Sequence, residues 1–374
     1  MNRNKYIQLC LIVGFALLTQ LCAAQKEADS LLAIVNQLIY EDPDKAIEIA
    51  LEAYEIDNSA VKTKVNALLA ISVAYSSKRD YQKSLEYAIR IESYLPKIKN
   101  EKLKMNVLNR IGAQYQELKI HDKAIEYLEE SQLLIENYPN QDSVQALLGY
   151  NSILRGFIYR EQMNCDIALT YFTKAIDAYL QTLSQTAMNA NVSICYYNQG
   201  NCLLTLKRIE EAENSYLEAI KYSERVDAKS LIAFAQKGLA EVKTLEGDYT
   251  GSIAILNSAL MNAEKVGDLV LNRGLYLGLS TNYLALNDWE NYTVFNSKYL
   301  ELEKETKLNE RKSINQSLLS LTEGKAKEIE QLKKRFGPIQ IGLVIIIFII
   351  LLMFIRDIII SEKKLKKLEN KLKN

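Results

Sequence analysis

This sequence predicts an all-α chain of stacked helical hairpins, on three observations. Residues that interrupt helices are scarce, and one pattern of small and aromatic residues recurs at nearly constant spacing. A charge-free segment long enough to cross a bilayer follows the last copy.

The scarcity of breakers is plain in the counts: 14 Gly and 4 Pro in 374 residues. Leu, Ala, Glu, Lys and Ile, which sustain helices, dominate instead. Basic and acidic residues balance at 46 each, so no global field recruits a polyanion, and nucleic acid is not an expected partner.

Ahead of that charge-free segment each copy carries an apolar and a small residue in mid-helix, an aromatic three residues on, a polar turn, and a second helix bearing Ala or Ser. The second copy shows it as Leu68, Ile71, Ser72, Tyr75, Asp80-Tyr81, Ser84 and Ala88. The third has Leu108, Ile111, Gly112, Tyr115, Ala124 and Leu128. The next two carry Gly156, Tyr159, Cys165, Ala168 and Phe172, then Tyr196, Gly200, Leu203, Ala212 and Tyr216. The sixth has Leu239, Ala240, Gly247-Asp248-Tyr249, Ser252 and Leu256; the seventh has Leu279, Ser280, Tyr283, Asp288-Trp289 and Tyr292. A degenerate first copy, with Leu31 to Tyr40 and then Ala46, Ala50 and Ala53, caps the array.

The marker residues Ala46, Ser84, Ala124, Ala168, Ala212, Ser252 and Tyr292 are separated by 38, 40, 44, 44, 40 and 40 residues. Self-similarity at such a period signals stacked units, each too small to bury its own apolar face. The residues above resemble tetratricopeptide repeats over roughly residues 29 to 300. The period exceeds the usual ~34 of that family, so longer helices or longer loops are expected. The resemblance implies a superhelix of about seven hairpins, the repeat domain spanning 25–300.

Two segments set the expected topology. Met1 to Lys5 is basic at Arg3 and Lys5, Tyr6 to Leu21 is apolar, and Cys22-Ala23-Ala24 ends in small residues before Gln25. That is the pattern of a secretory signal peptide over 1–24. The second segment, within Phe336 to Ile355, is uncharged and apolar on every side, as a transmembrane helix over 337–360 requires. A short basic tail over 361–374 follows. Basic residues flank both sides of the span, so the leader decides orientation: repeats periplasmic, tail cytoplasmic, in a bacterial inner membrane. Between array and span, residues 301–336 place Ile314, Leu318, Leu321, Ile329, Leu332 and Phe336 at helical spacing, suited to an amphipathic or coiled-coil helix able to pair with a second copy.

The search for chemistry is short. The one histidine, His121, excludes histidine triads and multi-histidine metal sites. Cys165, Cys195 and Cys202 remain after the leader and read as buried small hydrophobes. No phosphate loop, nucleotide fingerprint or paired-cysteine spacing is present, so the expectation is a non-enzyme without catalytic, cofactor or metal residues.

Binding is the expected activity. In the family resembled, the first helices line an inner wall that holds a protein or peptide. On that phase the wall residues are Asn66, Asn106, Asn109, Gln116, Tyr150, Phe157, Arg160, Tyr197, Asn201, Phe234, Lys237 and Glu241. Amides there suit a peptide backbone and aromatics its apolar side chains. The layout is similar to bacterial membrane sensors with tetratricopeptide input regions, which implies a sensor or adaptor in signal transduction whose output is missing or supplied by another protein. The alternative is a scaffold or chaperone for envelope protein assembly.

Overall fold

The computed structural model describes residues 25–39, 42–56, 60–78, 80–182, 184, 186–263 and 268–372; for some residues within 309–328 and beyond 365 it describes the backbone alone. The leader expected over 1–24 lies outside the described residues, as does Tyr40. Among the described residues every regular element is helical.

Seven hairpins follow one another. They are α1 (residues 25–38) with α2 (Pro43–Glu55), α3 (Val61–Ser77) with α4 (Tyr81–Glu92), and α5 (Glu101–Glu117) with α6 (His121–Glu136). Next come α7 (Gln145–Glu161) with α8 (Cys165–Leu180), α9 (Met188–Thr205) with α10 (Ile209–Glu224), and α11 (Lys229–Leu245) with α12 (Tyr249–Ala263). The last pairs α13 (Leu269–Ala285) with the start of α14 (Trp289–Leu372).

One turn closes hairpin after hairpin. Each first helix from α5 onward ends at a residue in the left-handed region: Lys119 (φ 60°), Met163 (60°), Lys207 (61°), Gly247 (83°) and Asn287 (59°). The residue after it returns its N–H to a carbonyl five positions back, as in Ile120 to Tyr115, Asn164 to Tyr159, Arg208 to Leu203, Asp248 to Lys243 and Asp288 to Tyr283, each 2.9 Å. This six-to-one bond satisfies carbonyls that the helix end leaves open. At three of these turns the next side chain then caps the second helix, Asn164 accepting from Ile167 N–H at 3.2 Å, Asp248 from Gly251 at 2.9 Å and Asp288 from Asn291 at 3.1 Å, and Asp42 and Asp80 cap α2 and α4 likewise, each at 3.1 Å. The left-handed residues lie 44, 44, 40 and 40 apart, matching the marker spacings.

The lengthened period has two physical sources. First helices run 17 or 18 residues from α3 onward, and three hairpin junctions carry extra chain, the first of them holding the 3₁₀ turn Leu95–Lys97 between α4 and α5. The 3₁₀ turn Gln141–Val144 leads into α7, and residues 181–187 lie between α8 and α9.

The two helices of a hairpin are buried differently. α6 buries one stripe, Ala124, Leu128, Ser131 and Ile135, at steps of four and three. α5 buries Met105, Val107, Leu108, Asn109 and every residue from Ile111 to Gln116. The cause is neighbours. Second helices dock on the following first helix, whereas first helices also pack on one another, α3 on α5 and so on to α11 on α13. Among the described residues no even-numbered helix packs on another to that extent, so the first helices run closest together from hairpin to hairpin.

Within a hairpin a small residue receives a large one sixteen positions on: Gly112 takes Leu128, Gly156 takes Phe172 and Gly200 takes Tyr216. A Cβ at Gly200 would sit 2.6 Å from Tyr216 Cε1, so the ring lies where any side chain would be. Phe172 and Tyr216 are fully buried as a result. A second ladder joins the same helices through stacked rings twelve positions apart. Tyr75–Tyr87, Tyr115–Tyr127 and Tyr159–Tyr171 have centroids 5.6, 5.6 and 5.4 Å apart, and Tyr283–Phe295 continues the series at 5.6 Å. The Tyr127 hydroxyl donates to Glu92 Oε1 at 2.6 Å, tying the third hairpin to the second.

Residues Gln316–Asn374 form a second compact unit, all of its described part helical. Pro338 lies inside α14 without ending it. Residues Ile329–Leu365 contain an 18-residue window of mean hydropathy 3.1, none of it buried, so this helix is long and apolar enough to cross a membrane. Ile345, Phe348 and Leu351 are each more than half exposed. Such a surface is stable only beneath lipid or another apolar cover.

Two outcomes test this architecture. Gly200→Ala overpacks against Tyr216 and lowers stability by about 1–3 kcal/mol, whereas Lys119→Gly relieves a left-handed residue and raises it by up to about 1 kcal/mol; denaturant midpoints moving the other way for both would refute the geometry. Burial, then the charges of Glu92 and Glu126, push the Tyr115 phenol from 10.0 to about 12. The stability held by its neutral form is complete below pH 10 and is lost as pH rises toward 12. Helicity followed against tyrosinate absorbance across that window should fall as Tyr115 ionises; full helicity after complete ionisation would contradict it.

Candidate partner-binding groove

The residues expected on the inner wall all lie on odd-numbered helices, and they divide into two groups. Some are consumed in joining hairpins. Asn109 is fully buried; its amide donates to Leu147 O at 3.1 Å and its oxygen accepts from Asn151 at 2.9 Å, fastening α5 to α7. Asn151 also donates to Leu128 O at 2.7 Å and accepts from Arg155 Nε at 3.1 Å. Gln116 is buried and donates to Glu161 Oε1 at 3.1 Å, while His121 Nε2 stands 3.2 Å from Glu161 Oε2. Arg160 donates to Asn198 Oδ1, the corresponding link from α7 to α9. Phe157 turns inward against Phe172, rings 6.0 Å apart.

The other group is half-buried or, at Glu241, exposed. Asn66 on α3 and Asn106 on α5 belong to it. Tyr150 lies under the Arg110 guanidinium, 4.8 Å from ring centre to carbon, with its hydroxyl accepting from Arg110 Nη1 at 3.2 Å. Tyr197 bridges two hairpins, its centroid 6.1 Å from Tyr216 and 5.6 Å from Phe234. Lys237 lays its methylenes over Gly274 of the next first helix, its Cδ about 3.0 Å from where a Cβ would stand. Asn201 accepts the Tyr216 hydroxyl at 2.8 Å, which fixes the amide at the surface, and Glu241 is exposed one hairpin on.

The structure brings Asn201 and Glu241 together on one cavity of 690 Å3, with Leu204, Thr205, Lys207, Ile209 and Leu245 completing the wall. This site joins the end of α9 to the end of α11 across the turn into α10. Sequence phase reached Asn201 and Glu241 but missed the other five. Their signal is faint: Leu204-Thr205 and Thr244-Leu245 occupy equivalent places one 40-residue period apart, the last exposed turn of each first helix. Polar and apolar groups therefore converge on a concave surface able to take a side chain of a bound segment. Charge is arranged outside it, where Lys243 is held between Glu213 at 3.0 Å and Glu246 at 2.9 Å, bonds that raise the lysine pKa.

Among the described residues no group of three or more His, Cys, Asp and Glu is placed to hold a metal ion.

Residues 194–225, covering most of α9 and all of α10, match the tetratricopeptide repeat family model. No curated protein matches the chain in sequence. Among solved structures it is similar to a Rap protein complexed with competence and sporulation factor, at 13% identity and TM-score 0.51, over 76% of this chain and 99% of that one. It is also similar to NprR in complex with its cognate peptide NprX, at 14% identity and TM-score 0.53, over 74% of this chain and 78% of that one. A third is a signal transduction ATPase with numerous domains and a tetratricopeptide repeat sensor, from Pyrococcus horikoshii, at 13% identity and TM-score 0.53, over 89% of this chain and 55% of that one. Residues 194–225 are thus a tetratricopeptide repeat, and the array around them has the helical-hairpin fold of tetratricopeptide-repeat proteins.

Proposed function

We propose that this chain is a non-enzymatic, membrane-anchored adaptor or sensor that binds an extended protein or peptide segment along the inner wall of its periplasmic array. The cavity between the ends of α9 and α11 carries the reading, because it sets an amide, a carboxylate and a lysine around an apolar floor, and the half-buried Tyr197 and Phe234 meet earlier on the same two helices. Such a site recognises a backbone by hydrogen bonds and one side chain by burial. Two of the solved structures with this fold hold, by their descriptions, a competence and sporulation factor and a cognate peptide.

Anchoring rests on the unburied apolar stretch of α14, and export on the basic, apolar and small-residue order of residues 1–24. Residues 301–336 are the stretch through which two copies would pair. Asn109, Gln116, Phe157 and Arg160 hold the wall in shape, and Tyr150, Tyr197, Asn201, Phe234, Lys237 and Glu241 face the ligand.

The binding test uses a photo-reactive residue at Glu241 or at Leu217, which is exposed on the outer helix α10. Adducts are expected from position 241, competed by Asn201→Arg in the same molecule, and equal labelling at 217 would refute an inner-wall site. Filling the cavity with Asn201→Arg and Glu241→Arg should weaken binding of the identified partner at least tenfold, about 1.4 kcal/mol, with the helical spectrum unchanged. Deleting residues 338–374 should leave a soluble helical protein that keeps its partner. Loss of the fold on that deletion would sink the modular anchor.

A further inference from the structure

Arg155, in the third quarter of α7, is only 5% exposed. Its Nε donates to Asn151 Oδ1 at 3.1 Å, and its guanidinium carbon lies 5.7 Å from the centre of the Tyr171 ring. Among the described residues neither Nη donates to another group of the chain, and neither is sealed from solvent. A guanidinium stays charged at any physiological pH and carries five N–H donors, so enclosing one without a counter-charge is costly. The position is otherwise apolar. Arg155 precedes Gly156 as Ile71 precedes Ser72 and Ile111 precedes Gly112, and both isoleucines are fully buried.

The fifth hairpin shows where this place opens. Gln199, one period of 44 on from Arg155, donates to Thr173 of α8 and accepts from Ser215 of α10, each at 3.3 Å, so it stands between two successive second helices. One period earlier those positions are Glu129 of α6 and Tyr171 of α8, the ring beside Arg155. Glu129 is exposed and, among the described residues, makes no ion pair with Arg155. The crevice before this one does hold a carboxylate. Tyr127, the counterpart of Tyr171, donates to Glu92 of α4 at 2.6 Å. The counterpart of Glu92, eight residues beyond the marker of its helix, is Gln132, an amide that donates to Glu136 at 2.6 Å.

We propose that Arg155 is the floor of an oxyanion site in the crevice between α6 and α8, taking the carboxylate of an aspartate or glutamate on a bound protein. A free oxyanion such as phosphate shares that chemistry. With Nε committed to Asn151, the end of the fork remains, one N–H from each Nη, parallel and spaced for two oxygens of one group. Asn151 is itself fixed by Asn109 and by Leu128 O, so the guanidinium is oriented before the ligand arrives. The site shares no residue with the cavity between α9 and α11.

The full chain in detergent, at constant ionic strength, is titrated with a capped Ala-Glu-Ala peptide, with its Ala-Gln-Ala counterpart and with inorganic phosphate, binding being read as a rise in the thermal midpoint. The glutamate peptide should raise the midpoint and the glutamine peptide should not. Arg155→Gln, which installs the residue that the fifth hairpin carries at this place, should lower the affinity at least tenfold with the helical spectrum unchanged. Arg155→Lys, which keeps the charge and loses the fork, should fall between. Saturation by phosphate at lower concentration than by the glutamate peptide overturns the protein source and assigns the site to a free oxyanion. Equal midpoints with both peptides and no rise with phosphate overturn the site, as does an undiminished rise in Arg155→Gln. Binding that appears only in Glu129→Gln overturns it as well, since Arg155 is then satisfied by its own chain.

Discussion

The interaction on which the array depends is the seating of a large side chain in a notch left by a missing one. Gly156 and Gly200 carry no Cβ because Phe172 and Tyr216 occupy its place, and beside Gly156 the stacked Tyr159 and Tyr171 close the same two helices again. Each such contact lies within one hairpin, yet its surfaces complete the floor on which the next hairpin sits. Gly238 of α11 approaches the same edge of Tyr216 that Gly200 does, so one ring serves two units. A residue shared in this way couples neighbours, which is how short helices become stable in water without a central core.

Much of this was legible beforehand, and the reason is steric. Gly, Ala and Ser at fixed offsets, followed by Tyr and Leu, have few explanations other than crossing helices, and the marker positions 124, 168, 212 and 252 coincide with fully buried residues. Legibility stops where a residue type serves two purposes. Asn109, Gln116 and Arg160 have the chemistry of ligand contacts, and the same chemistry joins α5 to α7 and α7 to α9. Whether an amide faces a neighbour or the open groove depends on side-chain direction within a turn, which helical phase alone does not resolve. The cavity escaped notice for a related reason: it is made by the ends of two helices forty residues apart, and none of its residues is unusual in its own segment. Continuity through Pro338 was equally unreadable, since a proline in mid-helix ordinarily signals a boundary.

The polar fastenings have a distinct role from the apolar ones. Burial sets that hairpins stack, but apolar surfaces tolerate sliding, whereas Asn151 bonded at once to Asn109, Leu128 and Arg155 permits one alignment only. Removing one member leaves its partners unsatisfied in a dry interior, so the network behaves as a unit. These fastenings concentrate between the third and fifth hairpins. The junction between α9 and α11 relies instead on Tyr197, Tyr216 and Phe234, and it is there that the wall opens into the cavity.

The unequal spacing of the left-handed turns, 44 residues and then 40, carries a consequence for anything laid along the inner wall. A strictly periodic surface would let a guest chain shift by one unit and find the same environment, so affinity would be spread over several alignments. Here the step shortens from 44 to 40 residues partway along, and the groups it offers change with it. A guest therefore has a single best frame, and molecular identity is read from the order of its side chains as well as from their kind.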